Sequence, residues 1–200
     1  YIDDVCNEFI GALHGRESGD KVYCRIPVSY RIGLGALAET IRGFNASREL
    51  LSLPDLSDPL TKKLYSTYLS FLPEDEFSYD LSSKTDARGS FTEFLRTPDR
   101  GQISINISKP SVTKGNHWHR SKVEKFLAVS GSGLIRLRSI WSREIAEYRV
   151  SGESLRVVDI PPGYTHSIVN TGHDDLVALI WANECYDPKN PDTYRLEVDI

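Results

Sequence analysis

The chain has 200 residues, of which 40% are hydrophobic and 26% charged, with a net charge of −4. These values describe a globular domain of ordinary size with a modest extension, exclude a fibrous or disordered chain, and argue against a nucleic-acid partner. No run approaches the roughly 18–20 apolar residues of a membrane span, and Asp3, Asp4 and Glu8 stand where a signal peptide would be basic and then apolar. Cys6, Cys24 and Cys185 have neither the number nor the spacing of a disulfide framework or a cysteine metal site. A cytoplasmic protein with reduced cysteines is expected.

In chain order, Val5, Phe9, Ile10 and Leu13 recur at helical spacing behind Asp3 and Asp4, with Gly15 as a stop. Lys21 to Val28 alternates like a short strand. Leu34, Leu37, Ala38 and Ile41 form a second amphipathic stripe that ends near Gly43. A piece as small as residues 1–53 would struggle to bury a core alone, so it reads as the tail of something larger. Ser52 to Pro59 is rich in Ser, Pro and Asp and reads as a linker; a short helix from about Leu60 to Leu72 follows, so residues 54–76 form a linker and helix.

From Phe77 the texture changes to many short strands. Ile103, Ile105 and Ile107 alternate with polar residues, and the runs 125–130 and 134–140 flank Gly131-Ser132-Gly133, which predicts a hairpin. Further runs at 144–150, 155–160, 166–170 and 176–181 are separated by Ser151-Gly152, Pro161-Pro162-Gly163 and Thr171-Gly172. Strands at this spacing predict a mainly β antiparallel sandwich or barrel of jelly-roll type over residues 77–200.

Chemistry concentrates in two stretches. His117 and His119 are two apart, so they share one face of a strand; Glu124 and Gly131 follow. Downstream come Pro161, Gly163, His166 and Asn170. Three imidazoles and a carboxylate suit zinc, iron, nickel or manganese, with positions left for water or substrate. His14 and His173 fall outside this pattern and are expected at the surface. Between Lys109 and Arg138 the bases Lys109, Lys114, Arg120, Lys122, Lys125, Arg136 and Arg138 face Glu124 as the sole acid. Outward-pointing strand side chains would account for this, and so would a cationic mouth for an anionic small molecule.

The two stretches resemble the paired cupin motifs H-x-H-x4-E-x6-G and P-x-G-x2-H-x3-N. The departure is Leu155, with Gly152 nearby, at a position where a glycine is common. The resemblance implies a cupin, a double-stranded β-helix jelly-roll barrel with a helical N-terminal extension, and a metal held by His117, His119, Glu124 and His166. Asp86-Ala87-Arg88-Gly89-Ser90-Phe91-Thr92-Glu93 resembles a D-x-R-G-x-F segment of dTDP-4-dehydrorhamnose 3,5-epimerases that helps hold the nucleotide. This resemblance implies Arg88 and Phe91 as substrate-binding residues. An arginine fork suits a diphosphate, although a turn closed by Gly89 with Arg88 in a surface ion pair is the plainer alternative. Those epimerases are metal-independent and carry a lysine in place of Glu124, so their catalytic groups do not transfer.

A closer resemblance is to the bifunctional capsular polysaccharide assembling protein family. It rests on Lys62–Ser70, Arg88–Phe94, Lys114–His119, Val157–His166, Trp181-Ala182-Asn183-Glu184 and Pro191-Asp192-Thr193-Tyr194, with Tyr1-Ile2-Asp3-Asp4-Val5 similar to a late segment of extended dehydrogenases. It implies a zinc cupin that epimerises C3 of a UDP-linked 4-keto-6-deoxy-N-acetylhexosamine for N-acetyl-L-fucosamine in capsule or O-antigen, behind the end of a short-chain dehydrogenase domain. These 200 residues hold no G-x-x-G-x-x-G after a strand and no Y-x-x-x-K, so no NADPH is expected. Epimerisation needs a base and an acid; Lys114, Lys122 and Tyr164 are the candidates nearest the ligands in sequence, with Glu124 a fourth if it binds metal weakly. A homodimer is expected, with no nucleic acid or membrane partner. The rival readings are a non-catalytic metal-stiffened cupin, binding a nucleotide sugar or holding a dimer, and an iron cupin oxygenase.

Overall fold

The computed structural model describes residues 1–16, 25–97 and 99–199. The chain divides into two compact units, Tyr1–Ser47 with Pro54–Phe77 and Arg48–Leu53 with Ser78–Ile200. Among the described residues no helix is long and apolar enough to cross a membrane.

The first unit contains helices α1 (Ile2–Leu13), α2 (Leu34–Glu49) and α3 (Pro59–Ser70). Asp3 and Asp4 occupy the first turn of α1, where negative charge complements the helix dipole. Contrary to the expected stop near Gly43, α2 runs on to Glu49. A mid-helix glycine costs about 1 kcal/mol, and the next residue offsets it: Phe44 is 2% exposed, packed edge-on against Tyr65 at 5.1 Å and tilted against Tyr68 at 5.7 Å. The stretch read as linker and short helix therefore supplies α3, which packs with the other helices. Asp58 caps α3 by accepting from Thr61 N at 2.8 Å, with Pro59 at the first position, and Lys63 reaches Asp4 of α1 at 2.5 Å. Of the strand expected over 21–28, Lys21 to Cys24 lie outside the described residues, and 25–28 carry no strand.

The second unit is built from β1 (Ser83–Asp86), β2 (Gly89–Thr97), β3 (Gly101–Ser108), β4 (Thr113–Trp118), β5 (Glu124–Ser130), β6 (Ser132–Ser139), β7 (Ile145–Ser151), β8 (Val157–Ile160), β9 (Tyr164–Asn170), β10 (Leu176–Ala182) and β11 (Tyr194–Arg195). These strands pair antiparallel, in sheets of order β1-β2-β3-β10-β5-β8 and β11-β4-β9-β6-β7, and Ser52 adds an isolated parallel bridge to Arg96 of β2. This is the expected jelly-roll barrel. The hairpin at Gly131 does not form: β5 and β6 belong to different sheets, and β6 pairs with β7 and β9 instead. Gly131, at φ +78, carries the chain from one sheet to the other, so the apolar faces of both strands enter one core. That core holds Phe126, Ile135, Leu137, Val158, Ile160, Ile168 and Leu176.

In β3 the alternation runs opposite to the usual sense. Gln102, Ser104, Asn106 and Ser108 are buried, and the isoleucines between them occupy the other face. A barrel wall made of amide and hydroxyl groups is built to meet a polar occupant rather than to fill a core.

Candidate metal centre and its cavity

His117 on β4 lies opposite His166 on β9, after a one-residue register shift between Gly115 and His117. Only glycine allows that bulge. Gly115 has φ +106, and a Cβ there would stand 2.6 Å from the His166 carbonyl oxygen and 2.9 Å from Ser167 Cα. Asn116 follows at φ +58, accepting from Val198 N through Oδ1 at 3.3 Å and from Leu196 N through its carbonyl at 3.0 Å. His119 lies one residue beyond β4, and Glu124 opens β5. The two motifs interlock, because Gly163 N–H donates to the His119 carbonyl at 2.9 Å. Asn170 ties the loops at the far end of β9, its amide donating to Ser108 O and Asp174 O, both at 2.8 Å.

The four candidate ligand atoms lie within 4.8 Å of one another, the one such group among the described residues that could hold a metal ion. Glu124 Oε2 stands 3.3 Å from His119 Nε2 and 3.2 Å from His166 Nε2. Each imidazole has one nitrogen turned to a backbone carbonyl. His117 donates to Gly115; His119 Nδ1 meets Asp192 O at 2.5 Å, and His166 Nδ1 meets Tyr164 O at 3.5 Å. A donor at one ring nitrogen leaves a lone pair at the other. His166 Nε2 is buried with no hydrogen-bond partner, although it stands 3.2 Å from Glu124 Oε2. Without an ion His119 Nε2 shares a proton with Glu124, but the His166 Nε2 lone pair has no such partner, and three nitrogens with one oxygen placed this closely fit a divalent ion.

The electrostatics agree. Burial, with His166 alongside, pulls His117 down to about 4, so it is neutral at ordinary pH. Burial also opposes charge on His119, but its bonds to Glu124 and to the Asp192 carbonyl outweigh this and raise its pKa. Burial would raise Glu124, yet His119 and His166 hold it well below the usual carboxylate range.

The cluster lines a cavity of about 520 Å³ inside the barrel. Gln102, Ser104 and Asn106 wall one side, apolar Phe126, Ile168 and Ile180 continue the lining, and the exposed Lys84, Arg88 and Tyr186 reach its rim. Among the residues expected to bind substrate, Arg88 and Phe91 both line it. Arg88 is also held by Asp86, which accepts from Nη2 at 2.6 Å and Nε at 3.0 Å, so the turn-and-ion-pair alternative and the rim position coexist. Lys114 lines the cavity with Nζ donating to Ile107 O (2.8 Å), Asn106 Oδ1 (3.0 Å) and Ser90 O (3.2 Å), and burial lowers its pKa. Lys122 is buried in the lining, donating to Pro191 O at 2.9 Å and lying 3.6 Å from Glu184. Tyr164 sits exposed on β9 and is not among the cavity's lining residues. His14 and His173 are exposed.

The basic window divides between its two explanations. Lys114 and Lys122 line the cavity, whereas Lys109 pairs with Asp175, Lys125 with Asp159 and Arg136 with Glu147 and Asp199. The sequence reading missed Gln102, Ser104, Asn106, Glu184, Tyr186 and Asp192. The polar phase of β3 was the available signal for the first three.

Residues 84–194 match the family described as the polysaccharide biosynthesis C-terminal domain. The chain belongs to that family. It is 44% identical over 198 residues to the UDP-2-acetamido-2,6-β-L-arabino-hexul-4-ose reductase of Pseudomonas aeruginosa, covering 99% of this chain and 53% of that protein. The crystal structure of the capsular polysaccharide assembling protein CapF from Staphylococcus aureus superposes with a TM-score of 0.94 at 52% identity, over 99% of this chain and 54% of that one. The spore coat polysaccharide biosynthesis protein SpsL of Bacillus subtilis is 25% identical over 129 residues, 60% of this chain and 85% of that protein. The resemblance to capsular polysaccharide assembling proteins thus holds, although the chain spans about half the length of the first two relatives.

Proposed function

We propose that this domain epimerises C3 of a UDP-linked 4-keto-6-deoxy-N-acetylhexosamine, for N-acetyl-L-fucosamine-type capsule or O-antigen precursors, with zinc held by His117, His119, Glu124 and His166. The observation that carries the reading is the convergence of four ligand-type groups in a cavity rimmed by Arg88 and Lys84. The name of the Pseudomonas relative specifies a UDP-linked, 2-acetamido, 4-keto sugar, which supports the substrate class. A divalent ion, when bound, would supply Lewis acidity at the 4-keto oxygen and acidify the neighbouring C3–H.

The chain's own residues would do the rest. Arg88 and Lys84 attract the diphosphate at the rim, and Gln102, Ser104 and Asn106 offer hydrogen bonds to sugar hydroxyl or acetamido groups. Inversion at C3 needs one group to take a proton and another to return one from the opposite side. Lys114 and Lys122 line the cavity and Tyr164 does not, so we take the two lysines as the first candidates. To these 200 residues we assign epimerase chemistry, a proton exchange at C3 that needs no NADPH. We also assign a cytoplasmic homodimer: β1, β8, β7 and β11 are each paired on one side only, and such edges are commonly covered in pairs of barrels.

The deciding experiment incubates a UDP-4-keto-6-deoxy sugar with zinc-loaded protein in heavy water. Deuterium at C3 is expected, lost in His117→Ala. Nucleotide-sugar binding without exchange would leave a binding module, and stoichiometric iron in the purified protein would favour the oxygenase.

A further inference from the structure

We infer that Asp192, which lies outside both motifs, is a positioning residue for the metal centre, fixing His119 as a ligand through its own carbonyl and through the loop that joins His119 to Glu124. The inference rests on the metal-binding reading above. Residues 119–123 span two ligands without belonging to a strand, so something else must set their path. Asp192 does so. One carboxylate oxygen accepts from Arg120 N at 2.9 Å; the other accepts from Ser121 N and Lys122 N, both at 2.9 Å, and from Ser121 Oγ at 3.1 Å. The same residue's carbonyl meets His119 Nδ1 at 2.5 Å, and Lys122 Nζ returns to Pro191 O at 2.9 Å.

His119 is thereby constrained in two ways. Donation from Nδ1 to a carbonyl fixes the tautomer whose Nε2 lone pair points at Glu124, the geometry that outer hydrogen bonds impose on histidine ligands. The carboxylate holds the three residues after His119, so the ring cannot swing without breaking that clamp. Asp192 is at φ +40, a region unfavourable for a side chain with a Cβ. Such a conformation persists only where surrounding contacts over-determine it, and it gathers at functional sites.

Zinc titration against a competing chelator tests the assignment in the whole chain. Asp192→Ala should weaken zinc binding about ten- to a hundredfold, the usual effect of losing an outer-sphere partner, with Asp192→Asn in between because it keeps one carbonyl acceptor. Nitrogen-15 spectra of the zinc-free protein at alkaline pH should find His119 as the Nδ1–H tautomer in wild type and as a mixture in Asp192→Ala. Val150→Ala serves as the control. It truncates a buried core side chain on β7, and should lower Tm while leaving zinc affinity unchanged within about twofold. The assignment is overturned if both Asp192 variants bind zinc as wild type does, or if Val150→Ala weakens binding as much as Asp192→Ala. A wild-type protein that takes up no zinc would instead overturn the metal reading itself, before any variant is compared.

Discussion

His117 and His166 come from separate motifs yet are direct partners in the β4–β9 ladder, with ring centroids 4.5 Å apart at an interplanar angle of 71°. Their meeting depends on register, because a one-residue slip turns every side chain of a strand to its other face. The bulge at Gly115 sets that register. Gly115→Ala combines the strain of a positive φ with a contact that cannot relax without moving backbone, and should destabilise the fold by about 1–3 kcal/mol. Thermal unfolding read alongside zinc uptake checks this: the variant should lose both Tm and metal. A variant as stable and as metal-competent as wild type would refute the role given to the bulge.

The pH dependence of metal binding follows from the histidines. Glu124 is held ionised and His117, near 4, is already neutral, so His119 with its raised pKa is the ligand whose shift makes a proton compete with the ion. A group of raised pKa keeps its proton as pH falls. Zinc affinity should therefore drop on acidification, by up to about tenfold per pH unit below the His119 value, since ligands must deprotonate to bind. Calorimetry in buffers of different ionisation enthalpy counts the protons released, and affinity that rises on acidification would contradict the scheme.

Arg88 makes a different prediction. It is exposed, paired with Asp86 and on the rim, away from the ligand cluster. Arg88→Ala should weaken UDP binding several-fold, the modest effect expected of a solvent-screened charge at the rim, while zinc affinity stays at the wild-type value. Titration with UDP checks it. Unchanged UDP binding would confine Arg88 to its turn.

The jelly roll and the convergence of the three histidines with Glu124 were legible in the sequence because both are carried by spacing: His-x-His places two rings on one face, and short strands between Gly and Pro turns predict a sandwich. Strand connectivity was less legible. Gly131-Ser132-Gly133 has hairpin chemistry, but a positive φ serves a sheet crossover equally well, and only the shared core of β5 and β6 distinguishes the two. Gly43 misled for a related reason, since the packing of Phe44 outweighs a local propensity. Asp192 was invisible as a partner of His119 because its bonds span more than 70 residues of sequence. Tyr164 shows the converse, closeness in sequence to His166 without a place in the cavity lining.

The two lysines of the cavity can be told apart by isotope exchange. Removing the C3 proton lets deuterium enter from solvent, whereas inversion needs the second group as well, so loss of the base stops both and loss of the acid spares exchange. Lys114 Nζ donates to three acceptors, so it must give up one of these bonds to offer a lone pair, and burial, which lowers its pKa, favours that release. Lys122 lines the same cavity, 3.6 Å from Glu184 and donating to Pro191 O at 2.9 Å, and is the remaining candidate for returning the proton. Lys114→Met should therefore cut both deuterium incorporation and epimer formation by about 10²–10⁴-fold, the usual range for a lost general base. Lys122→Met should keep incorporation while slowing the appearance of the epimer. Lys114→Met should bind zinc as wild type does, and Lys122→Met is assayed at saturating zinc because its Nζ also ties the loop after His119 to Pro191. Proton NMR of the sugar in heavy water reads incorporation and stereochemistry together; full exchange and inversion in Lys114→Met would remove it as the base.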